Sequence, residues 1–329
     1  MSGGTYLVGD LDYDKIDKQP TRDGFGRGLV EAGRRNQNVV ALCADLAEST
    51  RINWFAEEFP ERFVEVGVAE QNLVTLASGL AAMGKIPFAS SYAAFSPGRN
   101  WEQIKTTIAL NDRPVKIVGS HAGLITGPDG ATHQMLEDIA LMRAMPNMVV
   151  VVPADAIEAE KATLALAEDP RPGYLRLARD KTPVFTSNRT PFSLKRAYVL
   201  SPGRDVTIAA TGTMTYQALV AAELLYKDGI DAEVVHVPVI KPLDAVTILG
   251  SAQKTGAVVT IEEGQITGGL GGAVAELLSD SSPTPVKRLG VNDRFGESGT
   301  PDELLDKFGL TAKHIVKTIH AWLSELGRQ

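Results

Sequence analysis

Cysteine is almost missing: Cys43 is the only one in 329 residues. An internal disulfide is therefore excluded, and a reducing compartment is expected. Cys43 lies in the apolar run VVALCA, where it reads as buried. No apolar run approaches the roughly 18 residues needed to cross a bilayer, so no membrane span is expected. The opening MSGGTYLVGDLDYDK has neither a basic start nor an apolar stretch and does not read as a signal peptide. The cytoplasm is the expected location. Positive charge is not in excess: 33 Lys and Arg against 40 Asp and Glu leave a net charge of −7, which argues against a general nucleic-acid binder. Histidine is scarce, with five in all, and no close His/Cys/Glu spacing of the kind that closes a metal site occurs. No metal site is expected on this chain. Internal repeats and low-complexity tracts are absent as well.

What remains is an ordinary globular balance, 44% hydrophobic and 22% charged, at a length that favours two domains. Residues 1–20 are polar and glycine-containing and read as an extended arm. From there, short apolar runs alternate with helical patterns. The strands read are VVALCA (39–44), FVEVGV (63–68), 87–92, VKIVGS (115–120), MVVVVP (148–153) and YLRL (174–177). Helices fall at 22–35, near Trp54, at 70–83, 101–110 and 134–144, and from Asp155, a good N-cap after a proline, to 167. Strands and helices alternating at this spacing mean a mostly parallel sheet flanked by helices. Residues 181–203, with three prolines and no helical period, read as a linker. A second α/β unit follows in 204–329, with strands at 206–211, 232–237, 257–262 and 286–291. Its helices are expected near 214–228, 243–254, 270–279 and 311–326. The fold class is thus α/β with two domains, 21–180 and 204–329.

Ligands of open α/β sheets bind outside the carboxyl ends of the strands. Glu70 stands there, at the start of an apolar helix. The plain reading is a glutamate favoured by the helix dipole. The functional one is a carboxyl beside a pocket, hydrogen-bonded to a ring nitrogen. His121 and His133 flank GPDGAT, in which Asp129-Gly130 is a good turn pair. Two imidazoles and a carboxylate also suit the hydroxyls and phosphate of a sugar. Tyr92, Phe95 and Trp101 read as core from their spacing, or else as a clamp for a flat ring. Arg22, Ser49 and Arg179 are scattered surface residues, or together an anion site. EEGQITGGLGG has half of a dinucleotide-loop pattern but ends in Val274, and reads as a close strand-to-helix turn.

GVAEQN, the aromatic patch after it, and SHAG…GPDGATHQ…LR…PN…PAD together resemble the pyrimidine-binding domain of transketolases. EEGQITGGLGG and GVNDRFGESGTPDELLDKFGLTAKHI resemble their carboxy-terminal domain. The resemblance covers nearly the whole chain from about residue 21 and implies thiamine diphosphate as cofactor. Glu70 would bond the pyrimidine ring and activate the cofactor, and Tyr92 and Phe95 would flank that ring. Asp129 and His133 would bind substrate hydroxyls near the reacting carbon. Arg22, Ser49, His121 and Arg179 would hold the sugar phosphate. Two positions depart from the family pattern: Tyr92 replaces the usual phenylalanine, and Gly98 sits where a further aromatic is common. A larger departure is the missing GDG motif, which in full-length members precedes the asparagine that helps hold Mg2+ and the diphosphate. The resemblance is therefore to the second half of a split transketolase. It implies a separate amino-terminal subunit carrying GDG, an α2β2 heterotetramer, and transfer of a two-carbon ketol unit between sugar phosphates. It leaves open whether this serves the pentose phosphate pathway or a specialised sugar route. The β subunit of a 2-oxoacid dehydrogenase and a 1-deoxyxylulose-5-phosphate synthase-like half share the GxAEQ glutamate and are the alternatives.

Overall fold

A computed structural model describes residues 7–328, so the first six residues of the expected arm lie outside the description. The run VVALC becomes an inner strand, Val39–Cys43, with all five residues buried. Because side chains alternate across a pleated strand, Val39, Ala41 and Cys43 enter one core while Val40 and Leu42 enter another. The first core holds Phe25, Leu29 and Ala32 of helix Thr21–Arg35 and Ala159, Ala162 and Leu166 of helix Ala156–Glu168. These two helices cross closely: a Cβ at Gly24 would lie 1.9 Å from the Ala156 carbonyl oxygen, so only glycine fits there. The second core holds Leu73, Val74 and Ala77 of helix Glu70–Ala82 and runs on into the second domain through Val235, Ile248 and Leu270.

The first sheet has seven strands in the order Val239–Lys241, Val149–Val151, Gly173–Arg176, Lys116–Ser120, Ile86–Tyr92, Val39–Cys43 and Phe63–Glu65. All pairs are parallel except the first, where Val239–Lys241 comes over from the second half of the chain and pairs antiparallel. The second sheet is ordered Val286–Val291, Val258–Gln265, Val206–Ala210, Ala232–His236 and Tyr198–Ser201, again parallel except at the last edge. Residues 181–203, read as a linker, contain structure of their own. Tyr198–Ser201 is that antiparallel edge, and Thr182–Pro183 pairs with Lys18–Gln19 in the arm. Asp155 caps its helix as expected, accepting from the Glu158 amide at 3.0 Å, and also ties down the stretch after 181 through the Phe185 and Thr186 amides at 3.0 and 2.7 Å.

Other local readings shift for identifiable reasons. The strand begun at Phe63 stops at Glu65, whose carboxylate turns back to accept from the Gly67 and Asp45 amides at 2.8 and 2.7 Å, and Gly67 takes φ +69°. The helix expected from Gln134 is confined to Asp138–Arg143, because the Gln134 amide is committed to the carbonyls of Leu124, Gly127 and Glu297. The helix read at 101–110 is a short α-turn, Trp101–Gln103, followed by the wider coil of a π-helix over Ile104–Ala109. A helix over Pro301–Lys307 went unread although its start, Thr300-Pro-Asp-Glu, forms a reciprocal capping box. In the glycine-rich turn, the buried Glu262 carboxylate accepts from the Leu270 and Gly271 amides at 2.8 Å each. An internal carboxylate thus occupies the helix N-terminus that a dinucleotide phosphate would need. Burial raises the Glu262 pKa to about 7.

Candidate functional site

Five parallel strands of the first sheet deliver the residues singled out above to one end. Ser49 comes after Val39–Cys43, Glu70 after Phe63–Glu65, His121 directly after Lys116–Ser120 and Arg179 after Gly173–Arg176, while Tyr92 ends Ile86–Tyr92. Arg22 arrives from the opposite direction, in the first turn of helix Thr21–Arg35. That turn is fastened to the sheet where the Thr21 hydroxyl accepts from the Ala178 amide at 2.7 Å.

Glu70 is 5% exposed, and Arg99 Nη1 lies 3.3 Å from both of its carboxylate oxygens. The Asn100 side chain donates to the Glu70 carbonyl at 2.8 Å, which holds the helix start in place. Glu70 lines an open cleft together with Val68, Ala69, Gln71, Asn72 and Arg99. Arg99 also links it to the rings, since its guanidinium sits 4.1 Å from the Phe95 ring centre. Phe95 and Tyr92 are near parallel, 5.8 Å apart. Tyr92 stacks on the imidazole of His121 at 3.8 Å and 19°. His133 stands edge-on to Phe95 at 5.5 Å. Trp101, grouped with these rings by spacing, instead packs on the second core and donates to the Leu141 carbonyl at 3.0 Å. At Gly98, where a further aromatic is common in the family pattern, a Cβ would lie 2.0 Å from the Ala94 carbonyl oxygen, so no side chain fits this backbone.

Around the far side of His121 the charge is positive. Arg22 Nη1 donates to the Ser49 carbonyl at 2.6 Å, so the serine contributes its backbone and not its hydroxyl to that contact. Arg179 Nη1 donates to the Thr126 carbonyl at 2.9 Å and lies 3.6 Å from Asp129. The Thr126 hydroxyl in turn donates to the His121 carbonyl at 2.7 Å. A third cation, Arg51, paired to Asp23 at 2.7 Å, was passed over in the sequence. So were Arg99, Asn100 and Thr126. Arg99 and Asn100 stand inside the aromatic patch, but nothing in their spacing points to Glu70, 29 and 30 residues away.

Burial, followed by the nearby Arg22 and Arg179, pushes the His121 pKa down to about 3. The imidazole is therefore neutral at physiological pH and offers one donor and one acceptor. Its contribution to stability is full above the ordinary value of 6.5 and declines as pH falls from there toward 3, because the unfolded chain takes up the proton first. NMR of the free chain should show no protonation of His121 between pH 8 and pH 5; a charged ring at pH 5 would contradict this environment.

The residues fit the pyrimidine end of thiamine diphosphate: a buried carboxylate paired with Arg99 belongs to a residue that lines an open cleft, and Arg99 joins it to the stacked rings. Among the described residues no three His, Cys, Asp or Glu side chains gather as metal ligands, and no helix is long and apolar enough to cross a membrane.

The chain matches the family model of the transketolase pyrimidine-binding domain over residues 17–184 and that of the transketolase C-terminal domain over residues 195–315. It is 46% identical to a putative transketolase C-terminal section of Methanocaldococcus jannaschii, over 91% of this chain and 94% of that protein. It is 43% identical to a 6-deoxy-6-sulfo-D-fructose transketolase subunit of a Clostridium species, over 93% of this chain and 95% of that protein. A solved split-gene transketolase, described as an inactive beta4 tetramer, superposes with a TM-score of 0.87 at 48% identity, over 93% of this chain and 98% of that one. Two domain matches in the expected order, and relatives aligned almost end to end, place this chain in the transketolase family as the counterpart of its carboxy-terminal section.

Proposed function

We propose that the chain is the carboxy-terminal subunit of a split transketolase, moving a two-carbon ketol unit from a ketose phosphate to an aldose phosphate. The observation that carries this reading is the Glu70 carboxylate, buried, tied through Arg99 to the ring cluster, on a residue that lines an open cleft. Glu70 would hydrogen-bond the pyrimidine ring of thiamine diphosphate, sharing a proton with a ring nitrogen, and Phe95 and Tyr92 would flank that ring. When bound, the cofactor supplies the nucleophile and the electron sink, and the protein positions and tunes it. Asp129 and His133 bond the hydroxyls of the sugar near the reacting carbon. His121, neutral and oriented through Nδ1 by the Ser120 hydroxyl at 2.9 Å, stands with the residues that hold the sugar phosphate. Arg22, Ser49 and Arg179 hold the terminal anion, which favours sugar phosphates over the 2-oxo acids of the related dehydrogenases.

The chain lacks GDG. We assign the binding of the diphosphate and of Mg2+ mainly to a separate amino-terminal subunit, in an α2β2 assembly located in the cytoplasm. Whether the sugars belong to the pentose phosphate pathway or to a specialised route is set by that complete site.

Arg179→Ala tests the anion end. Because Arg179 grips a group remote from the reacting carbon, its loss should raise KM for phosphorylated sugars by about tenfold or more and leave kcat nearly unchanged. Steady-state kinetics of the reconstituted enzyme with phosphorylated and unphosphorylated sugars reads this out. Equal use of both by the unsubstituted enzyme would remove the assignment.

A further inference from the structure

The loop that carries Thr126 and Asp129 belongs to the first domain in sequence but is braced by the second. Leu124 and Ile125 are buried in the second domain's core, with Ile208, Met214 and Leu305. The Ile125 amide donates to Glu263 Oε1 at 2.7 Å, across 138 residues of chain. The other carboxylate oxygen accepts from the Thr213 hydroxyl at 3.0 Å. Glu263 lies in strand Val258–Gln265, and Thr213 directly precedes helix Met214–Lys227. Gly123, at φ +84°, admits the carboxylate, since a Cβ there would lie 2.3 Å from Glu263 Oε1. From the first domain, Arg176 faces the same seam, donating to the Glu263 carbonyl at 2.7 Å and to Asp138 at 2.9 Å.

Glu263 is 3% exposed. Holding a carboxylate there costs desolvation free energy that an apolar pair would not. In return it fixes one backbone amide at one place. That amide is a single residue from Thr126, which bonds the His121 carbonyl on one side and the Arg179 guanidinium on the other. We propose that Glu263 is a positioning residue: through Ile125, the carboxy-terminal domain sets the placement of His121 and Arg179 and so the fit of the sugar's terminal anion. The positioning role rests on the reading of this site as a sugar-phosphate site; the brace itself does not.

The test uses the full chain carrying Glu263→Ala, Glu263→Asp or Glu263→Gln. Alanine removes the acceptor, aspartate withdraws it while keeping the charge beside Arg176, and glutamine keeps an oxygen for the Ile125 amide. In hydrogen exchange, the segment 121–130 should exchange about tenfold faster in the alanine and aspartate variants and close to the native rate with glutamine. Strand Lys116–Ser120 should not change. In the complex with the amino-terminal subunit, the same two variants should raise KM for a sugar phosphate by about tenfold, with kcat within about twofold and cofactor affinity intact, and glutamine should restore KM. If the alanine variant does not fold, the aspartate variant carries the comparison. Native exchange rates in the aspartate variant, or loosening with glutamine as great as with aspartate, would overturn the brace. A loosened loop with unchanged KM, while Arg179→Ala still raises it, would overturn the positioning role and leave the proposed reaction standing. If Arg179→Ala has no effect either, the sugar-phosphate reading fails, and the exchange result still reports on the brace.

Discussion

Glu70→Ala should lower kcat of the reconstituted enzyme by a factor of about 10² to 10⁴, the range in which a positioned acid–base group contributes. The residue sits at the start of helix Glu70–Ala82 with its carboxylate almost wholly out of water. A carboxyl group held this way keeps its direction toward a ring nitrogen, with which it can share a proton, without reorganisation at each turnover. The fold should tolerate the change. Arg99, the only side chain among the described residues paired with the carboxylate, is half exposed and keeps its stacking on Phe95. Glu70→Gln separates shape from charge: it should lose nearly as much activity as alanine if the carboxylate's basicity matters, and much less if filling the space suffices. Thermal unfolding of each variant, run beside the kinetics, confirms that the loss is not one of folding. Unchanged turnover with alanine at position 70 would show that the chain serves the complex without taking part in the chemistry.

The second large effect concerns the chain by itself. Purified alone, it should show no measurable ketol transfer, and activity should appear on adding a subunit that carries GDG with a downstream asparagine. In the proposed reading, the residues gathered at the strand ends bind one end of the cofactor, its pyrimidine, and the sugar. The diphosphate carries most of the cofactor's charge, and its binding with a divalent ion needs donors and ligands this sequence does not arrange in the family's pattern. Titrating the second subunit against a fixed amount of this chain, with a coupled assay and size-exclusion chromatography, should give saturation at one to one. Robust turnover by the isolated chain would sink the split-subunit reading while leaving the family assignment untouched.

Much of this architecture could be read along the chain. Buried parallel strands are continuous apolar runs, and VVALC announces one because both of its faces meet helices. The Asp155 cap and the strand-end position of Glu70 and His121 were legible for the same kind of reason: helix starts and strand ends are local events with local residue preferences. The edge strands Tyr198–Ser201 and Val239–Lys241 were not, because what makes each a strand is a neighbour reached only after the chain has crossed to another sheet or doubled back.

The sequence alone therefore determined the fold class, the two-domain order and several of the residues that arrive at one end of the first sheet. Only the tertiary structure decided what those residues touch: that Arg22 meets the carbonyl of Ser49, that Tyr92 lies flat on His121, that Arg99 guards Glu70 and that Glu263 holds the Ile125 amide. The difference is physical. Periodicity records which side of an element is dry, and each residue carries that information itself. A hydrogen bond between groups far apart in the chain depends on the placement of both backbones, and neither residue's neighbours in sequence record it.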